Sequence, residues 1–156
     1  MSFSVKVDLS QFNIDGLHEA TEEAARPAAQ AGAQVLYDEV KSNVAKIKKK
    51  TGNLAASIYQ AYSRDNSGKG RATYHISWNA KKAPHGHLVE FGHLQRYEVT
   101  FDKQTRRFIT HKDKPLPQPR LVAARPFIRP AMAKMPAAEQ AIRARFAEEL
   151  KKRGWQ

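Results

Sequence analysis

One short segment, Ala124–Ala131, constrains the backbone more than any other part of this chain, because its sequence is Ala-Arg-Pro-Phe-Ile-Arg-Pro-Ala. Pro126 and Pro130 each fix their own φ and keep the arginine before them out of the α region. Between the prolines, Phe127 and Ile128 are held in set directions. We predict a stiff, extended corner that leads into a helix, since proline suits the first turn of a helix.

Length and composition predict a single domain over residues 1–156. A chain of 156 residues can bury a core of its own, and the absence of cysteine excludes disulfides and thiolate–zinc sites. No run of 18 apolar residues occurs, so we expect no membrane span. The N-terminus lacks the cationic start and apolar core of a signal peptide. We expect a soluble protein that is made and kept inside a cell.

The net charge of +12 is unevenly distributed along the chain. Residues 1–63 carry seven Lys/Arg and seven Asp/Glu, whereas residues 64–124 carry twelve against five and residues 125–156 carry eight against three. The whole basic excess therefore follows Ser63. This asymmetry favours a polyanionic or acidic partner, and a solvated face that keeps the protein soluble is an equal alternative.

Hydrophobic periodicity predicts a strand and then a long helix in the first third of the chain. Residues 4–9 alternate with period two, which is typical of a strand. An alanine-rich stripe at helical spacing predicts a helix to about Ile47, with Asp15 as its N-cap. Because Pro27 lies inside this helix, we expect a kink or a break near Arg26.

The middle of the chain predicts a short helical turn and two strands. Thr51-Gly52-Asn53-Leu54 restarts the chain with a turn of helix, which leads into a strand over residues 57–62. Residues 65–70 are rich in Asp, Asn, Ser and Gly and predict a loop. Residues 72–78 then alternate as a second strand.

A β-hairpin is predicted after Gly92, followed by a proline-rich return. Residues 97–101 and 107–110 are strand-like and flank the turn 102–105. Residues 112–120 contain three prolines, so we expect an irregular, extended connection there. The hairpin and its return form an excursion from the domain over residues 94–120.

The order of elements favours the α+β class. A C-terminal helix is expected over residues 130–153, with an apolar stripe at helical spacing. The long N-terminal helix and this C-terminal helix would pack on one face of a mostly antiparallel sheet, from which the β-hairpin projects.

A cluster of histidines and a carboxylate is the best enzyme-like pattern in the sequence. His85 and His87 would share a face of an extended segment, close to Glu90 and His93, and imidazole with carboxylate suits zinc or another transition metal. The spacing matches no helical zinc pattern, which favours histidines that are exposed or hydrogen-bonded. Glu90 is better explained as a buried structural glutamate with partners than as a general base. We therefore expect no enzyme, no cofactor and no metal.

A small basic nucleic-acid-binding module is the alternative function. Basic residues after Ser63 alternate with aromatic residues on predicted strands, which could contact a phosphate backbone and stack bases. The aromatic residues are Tyr74, Trp78, Tyr97 and Phe108. The sequence contains no recognised nucleic-acid motif, and aromatic residues on strands more often belong to a core.

Three motifs in a fixed order carry a resemblance to a known family. They are Thr51-Gly52-Asn53-Leu54 with Ser57-Ile58, then Leu88-Val89-Glu90-Phe91-Gly92, then the corner Ala124–Ala131. Together with the long helix before them, they resemble the neck or tail-completion proteins of long-tailed bacteriophages, minor virion proteins that join head to tail. The resemblance spans residues 31–134.

The resemblance implies a non-enzymatic structural protein of a phage or prophage. Such a protein is made in the host cytoplasm and acts in the virion at the head–tail junction, in tail completion or head–tail joining. It forms a ring-like homo-oligomer and contacts head-closure, connector and tail proteins, with no membrane. The basic excess would face DNA in the channel, non-specifically, or acidic surfaces of adjoining rings, and we favour protein partners.

The resemblance and the pattern together suggest two sets of residues. The structural motif comprises Thr51, Gly52, Leu54, Glu90, Phe91, Gly92, Pro126, Phe127 and Pro130. The expected subunit or partner contacts are Tyr97, Val99, Phe101, Arg106, Arg107, Phe108, Arg125 and Arg129. For Arg125 and Arg129, the sequence leaves two roles open, as internal braces or as contacts to the next subunit.

Overall fold

A computed structural model describes residues 3–8, 17–47, 52–105 and 107–155 of the chain. Their secondary structure confirms the α+β class. In chain order the elements are β1 (Phe3–Asp8), α1 (Leu17–Lys46), α2 (Asn53–Ser57), β2 (Ile58–Tyr62), β3 (Arg71–Trp78), α3 (Gly86–Phe91), β4 (His93–Asp102), β5 (Arg107–Val122), a 3₁₀ helix (Arg129–Lys134) and α4 (Met135–Lys152).

Helix α1 runs through Pro27 without a break, so the predicted break near Arg26 is wrong. Proline removes one helical hydrogen bond, but the alanines around it are buried, including Ala24, Ala25 and Ala28. Most helical stability in proteins comes from tertiary packing rather than local propensity, and this packing carries the helix past the proline. The predicted cap Asp15 lies outside the described residues.

The first sheet has the strand order β1-β3-β2, and both of its pairs are antiparallel. Helix α1 packs on this sheet, and Leu36 and Val40 from the helix share one buried core with Ile58 and Ile76 from the strands. Helix α4 in turn packs along α1. A Cβ built on Gly32 of α1 would lie 2.7 Å from Cδ1 of Ile142, so glycine allows the two helices to approach closely here.

Strands β4 and β5 form a separate two-stranded antiparallel sheet, which confirms the predicted hairpin. Residues 112–120 are extended and irregularly paired, as predicted, but they belong to a strand rather than to a connection, because β5 continues to Val122 and pairs Arg120 with Gln95 and Pro115 with Tyr97. Two register shifts around Tyr97 accommodate the extra residues of β5. Prolines are tolerated here because β5 is an edge strand.

The C-terminal helix is confirmed, but its first turn is 3₁₀ and α4 proper begins at Met135. Its predicted apolar stripe is buried at Ala138, whereas Met132 and Met135 at the start are exposed. Among the described residues, no helix is both long and apolar enough to cross a membrane.

Candidate assembly interface

Glu90 lies at the centre of the molecule's best-defined polar site. Its segment was predicted to be extended, which is wrong, because Gly86–Phe91 forms the short helix α3. The carboxylate is completely buried. It accepts hydrogen bonds from three consecutive backbone N–H groups, those of Phe127 at 2.7 Å, Ile128 at 3.0 Å and Arg129 at 3.1 Å. Glu90 therefore caps the start of the 3₁₀ helix from another part of the chain.

Arg129 completes this site and is internally bonded. Its Nε donates to Oε1 of Glu90 at 3.2 Å, and its Nη2 donates to the backbone carbonyl of Glu90 at 2.7 Å. The guanidinium also lies 5.1 Å from the ring centroid of Phe91. Arg125 differs, because its backbone N–H donates to the carbonyl of Val89 at 2.8 Å while its side chain is exposed.

The hydrogen bonds around Glu90 set its protonation state. Burial by itself raises the pKa of this carboxyl. The N–H groups of Phe127, Ile128 and Arg129, together with the Arg129 side chain, outweigh burial, and the pKa lies below its ordinary value. Glu90 is therefore an ionised structural group, with its oxygens occupied by donors.

Two glycines allow the segment around Glu90 to pack closely. A Cβ on Gly86 would overlap the indole of Trp78, with Cδ1 only 2.6 Å away. Trp78 in turn packs edge-on against Phe127, with ring centroids 5.7 Å apart. Gly92 has a φ of 72°, and a Cβ there would lie 2.7 Å from the carbonyl oxygen of Val122 and 2.8 Å from the nitrogen of Ala124. The start of β4 and the end of β5 are thus held together at Gly92.

The fold brings the three sequence motifs to one core. Leu54 from the first motif shares the buried core with Phe127 and Ile128 from the third. Nδ2 of Asn43, on α1, also donates to the carbonyl of Phe127 at 3.3 Å. Gly52 precedes α2 in a left-handed conformation, with a φ of 77°. Phe91, Pro126 and Pro130 are exposed, and Thr51 lies outside the described residues.

The hairpin carries an apolar stripe on one face, formed by the exposed residues Tyr97, Val99 and Phe108 and the half-buried Phe101. Alternate residues of β4 share a face, and Phe101 pairs directly with Phe108 across the strands, with ring centroids 5.1 Å apart. Val99 is 38% exposed and Phe108 47% exposed. An exposed apolar sheet face of this kind is typical of a protein interaction site.

The other expected contact residues are placed differently. Arg107 pairs with Asp102 and therefore lies on the opposite face of the hairpin from the apolar stripe. Arg106 lies outside the described residues. Sequence reasoning missed Ile109 and Leu121, which are also exposed on β5. The alternation of β5 was the available signal for Ile109, which pairs with Thr100 on the face of Arg107.

The histidine cluster has no geometry for metal binding among the described residues, where no group of three or more His, Asp or Glu side chains could hold an ion. Burial lowers the pKa of His85, and the neighbouring His87 lowers it further.

Of the aromatic residues considered for base stacking, Tyr74 is buried in the core and Trp78 packs on Phe127. Tyr97 and Phe108 on the hairpin are exposed.

These features define a class of protein, a small α+β chain with one buried core and a separate two-stranded hairpin that carries exposed apolar residues. The model of one family, described as "Bacteriophage HK97-gp10, putative tail-component", matches residues 11–92, more than half of the chain. The chain belongs to this family and is a phage structural protein of the tail-component type. No curated protein and no solved structure matches it. The family match ends at Gly92, and the third motif beyond it is held by Glu90 from within the matched region.

Proposed function

We propose that this protein acts at the head–tail junction of a virion, in tail completion or head–tail joining, as a ring-like homo-oligomer. Its family of phage tail components supports a structural role. The observation that carries the proposal is the exposed apolar stripe of the hairpin, with Val99 at its middle. In this proposal the protein has no enzymatic activity.

The apolar stripe supports contact between subunits for an energetic reason. A two-stranded hairpin is at best marginally stable in water, and covering its apolar face removes that surface from solvent. If the stripe of one subunit docks on a different surface of the next, the contact is heterologous. Repetition of a heterologous contact gives a closed ring when the rotation closes.

The two edges of the hairpin favour strand addition along β4 rather than β5. Strand β4 contains no proline, so every residue retains its N–H. Strand β5 carries Pro115, Pro117 and Pro119, which lack this donor and blunt an edge. A strand from a neighbouring virion protein would therefore pair with β4.

The site around Glu90 supports a fixed direction for the hairpin. The N–H of Arg125 binds Val89, the three N–H groups after Pro126 bind Glu90, and Gly92 packs on Val122. Both ends of the hairpin are thus joined to the core by short, directional contacts. A fixed hairpin would meet its neighbour with little loss of conformational entropy.

The charge of the hairpin supports acidic protein partners, such as head-closure, connector and tail proteins. Residues 93–122 carry seven Lys/Arg and three Asp/Glu. Complementary charge would steer assembly and reject wrong partners.

The experiment compares two variants on opposite faces of the hairpin. Val99→Asp places a charge in the apolar stripe, and Ile109→Asp places the same charge on the other face, at a residue of similar exposure. We expect mass photometry, with the protein alone or with its junction partners, to show rings for the wild type and Ile109→Asp and monomers for Val99→Asp. Equal assembly of both variants would overturn the role of the stripe.

The role in the virion is tested by deleting the gene. We expect lysates examined by electron microscopy to contain heads and tails that are not joined. Complementation by Ile109→Asp, but not by Val99→Asp, would link the defect to the apolar stripe. Normal infectious particles from the deletion would contradict the proposed function.

A further inference from the structure

A small cavity of about 140 Å³ lies between α1 and the loop that joins β2 to β3. Its walls bring together residues far apart in sequence, from the first half of α1 and from residues 62–72. They are Glu22, Ala25, Arg26, Tyr62, Gly68, Lys69, Gly70, Arg71 and Ala72. A space of this volume admits one phosphate-sized group together with water.

The tip of the loop is a tight turn over residues 68–71, in which two backbone N–H groups make no hydrogen bond to a backbone carbonyl of the described residues. The N–H of Gly68 binds the carbonyl of Arg71 at 2.8 Å, and the reverse bond is 3.1 Å. Lys69 and Gly70 between them have φ values of 52° and 73°, as in a type I′ turn. Within the described part of the chain, neither the N–H of Lys69 nor that of Gly70 bonds to a backbone carbonyl. Turns of this kind present N–H groups to anions.

The loop behind this turn is held by hydrogen bonds. Oγ of Ser67 donates to the carbonyl of Ser63 at 2.6 Å and accepts from the N–H of Thr73 at 2.9 Å. Oγ1 of Thr73 donates to the carbonyl of Asn66 at 2.8 Å. The loop at the cavity is therefore ordered before a ligand binds, so binding would lose little conformational entropy.

Three cations and one carboxylate line the cavity. Arg26 stacks on the ring of Tyr62, with Cζ 4.4 Å from the centroid, which fixes its guanidinium at the cavity wall. Lys69 and Arg71 come from the turn, and Glu22 reduces the total charge to +2.

We propose that this cavity binds one phosphate group of a DNA backbone. Guanidinium groups match phosphate oxygens in geometry, and the turn adds backbone donors. The choice of DNA as the source of the phosphate rests on the proposed function, because DNA crosses a head–tail junction. Contact with one phosphate per subunit gives weak, salt-dependent binding. Binding of this strength would permit DNA to move past the subunit.

The test measures binding of a fluorescent, random-sequence DNA duplex by anisotropy at several salt concentrations. Arg26→Gln/Arg71→Gln removes two charges from the cavity. Lys81→Gln/Lys82→Gln removes two from exposed residues of the turn before α3 and serves as the matched control. We expect the cavity variant to lose about tenfold in affinity at low salt, with a slope of log K against log salt shallower by about one, and the control to lose little. Equal losses in the two variants, or none, would overturn the proposal.

Inorganic phosphate distinguishes the source of the ligand. If phosphate alone raises the melting temperature of the wild type but the cavity variant binds DNA normally, the site takes a free anion and the DNA proposal fails. Should the double variant unfold, Arg71→Gln alone repeats the measurement, since Arg71 is exposed at the start of β3. Val99 does not line the cavity. The ring proposal, tested by Val99→Asp, and the DNA proposal, tested by the cavity variant, can therefore be contradicted separately.

Discussion

The carboxylate of Glu90 and the backbone N–H of Phe127 are joined by a 2.7 Å hydrogen bond across 37 positions of sequence. This bond links the helix before the hairpin to the corner after it. The same carboxylate oxygen accepts from the N–H of Ile128, and the other oxygen accepts from Arg129. Glu90 therefore couples the two ends of the hairpin excursion to each other and to the C-terminal helix.

Replacing Glu90 tests this coupling. Glu90→Gln keeps the shape but substitutes an amide nitrogen for one acceptor oxygen. Depending on the orientation of the amide, either the N–H groups of Phe127 and Ile128 or the N–H and Nε of Arg129 lose their acceptor. We expect a loss of about 2–3 kcal/mol in the free energy of unfolding, measured with urea. Glu139→Gln breaks an exposed ion pair with Arg143 on α4 and should cost less than about 0.5 kcal/mol. Equal effects of the two changes would contradict the coupling.

The stability contributed by Glu90 depends on pH with a definite sign. The folded-state pKa of Glu90 lies below its ordinary value, so the unfolded chain binds the proton more readily. The stabilisation is fully present above the ordinary glutamate pKa of about 4.3 and is lost as pH falls through the folded-state pKa. We expect the difference in unfolding free energy between wild type and Glu90→Gln to shrink below about pH 4.3. Other carboxylates of lowered pKa, such as Glu148 and Glu149, are common to both proteins and cancel. A constant difference across this range would contradict the assignment.

Local patterns were enough to predict much of the fold. The alternation of residues in β3 and in the hairpin, and the alanine spacing of α1, specify elements whose periodicity survives in the structure. The order of the three motifs pointed to a phage family of the kind that matches the chain. A buried, satisfied role for Glu90 was also predicted, because a carboxylate between apolar neighbours requires partners.

The remaining features depend on contacts that local patterns do not encode. Helix α3 is short and contains glycine and histidine, and its packing comes from residues 125–129, far along the chain. Pro27 breaks isolated helices, but burial of its neighbours overrides that preference. The cavity at Arg26 and Arg71 joins α1 to a loop, and only the packing of α1 on the sheet brings them together.

Gly92 tests the junction at the base of the hairpin. Gly92→Ala would place a Cβ 2.7 Å from the carbonyl oxygen of Val122 and would hold alanine at a φ of 72°. Gly154→Ala is the control for a positive φ without a steric contact, because φ there is 83° and a Cβ would meet no atom within 4 Å. The control should cost about 1–2 kcal/mol for left-handed backbone alone. We expect Gly92→Ala to cost about 1–3 kcal/mol more in urea unfolding, because the Cβ overpacks against backbone and because a φ of 72° with a ψ of 173° is a conformation that only glycine readily adopts.

A smaller cost for Gly92→Ala than for Gly154→Ala would show that the chain at Val122 moves aside freely. In that case the hairpin is not held at its base. Circular dichroism of both variants in the absence of urea confirms that the comparison is between folded proteins.

Arg125 and Arg129 occupy equivalent places in the corner, one before each proline, yet their side chains have different environments. Arg129 is 44% exposed and makes side-chain hydrogen bonds to both the carboxylate and the carbonyl of Glu90, whereas the Arg125 side chain is exposed. We expect Arg129→Ala to lower the free energy of unfolding of the monomer by about 1.5–3 kcal/mol, because its bonds involve charged groups. Arg125→Ala should change it by less than about 0.5 kcal/mol. If Arg125 instead meets the next subunit, its replacement will weaken ring formation in mass photometry while leaving the monomer's stability intact. A stability loss at Arg125 equal to that at Arg129 would show that both arginines are internal braces.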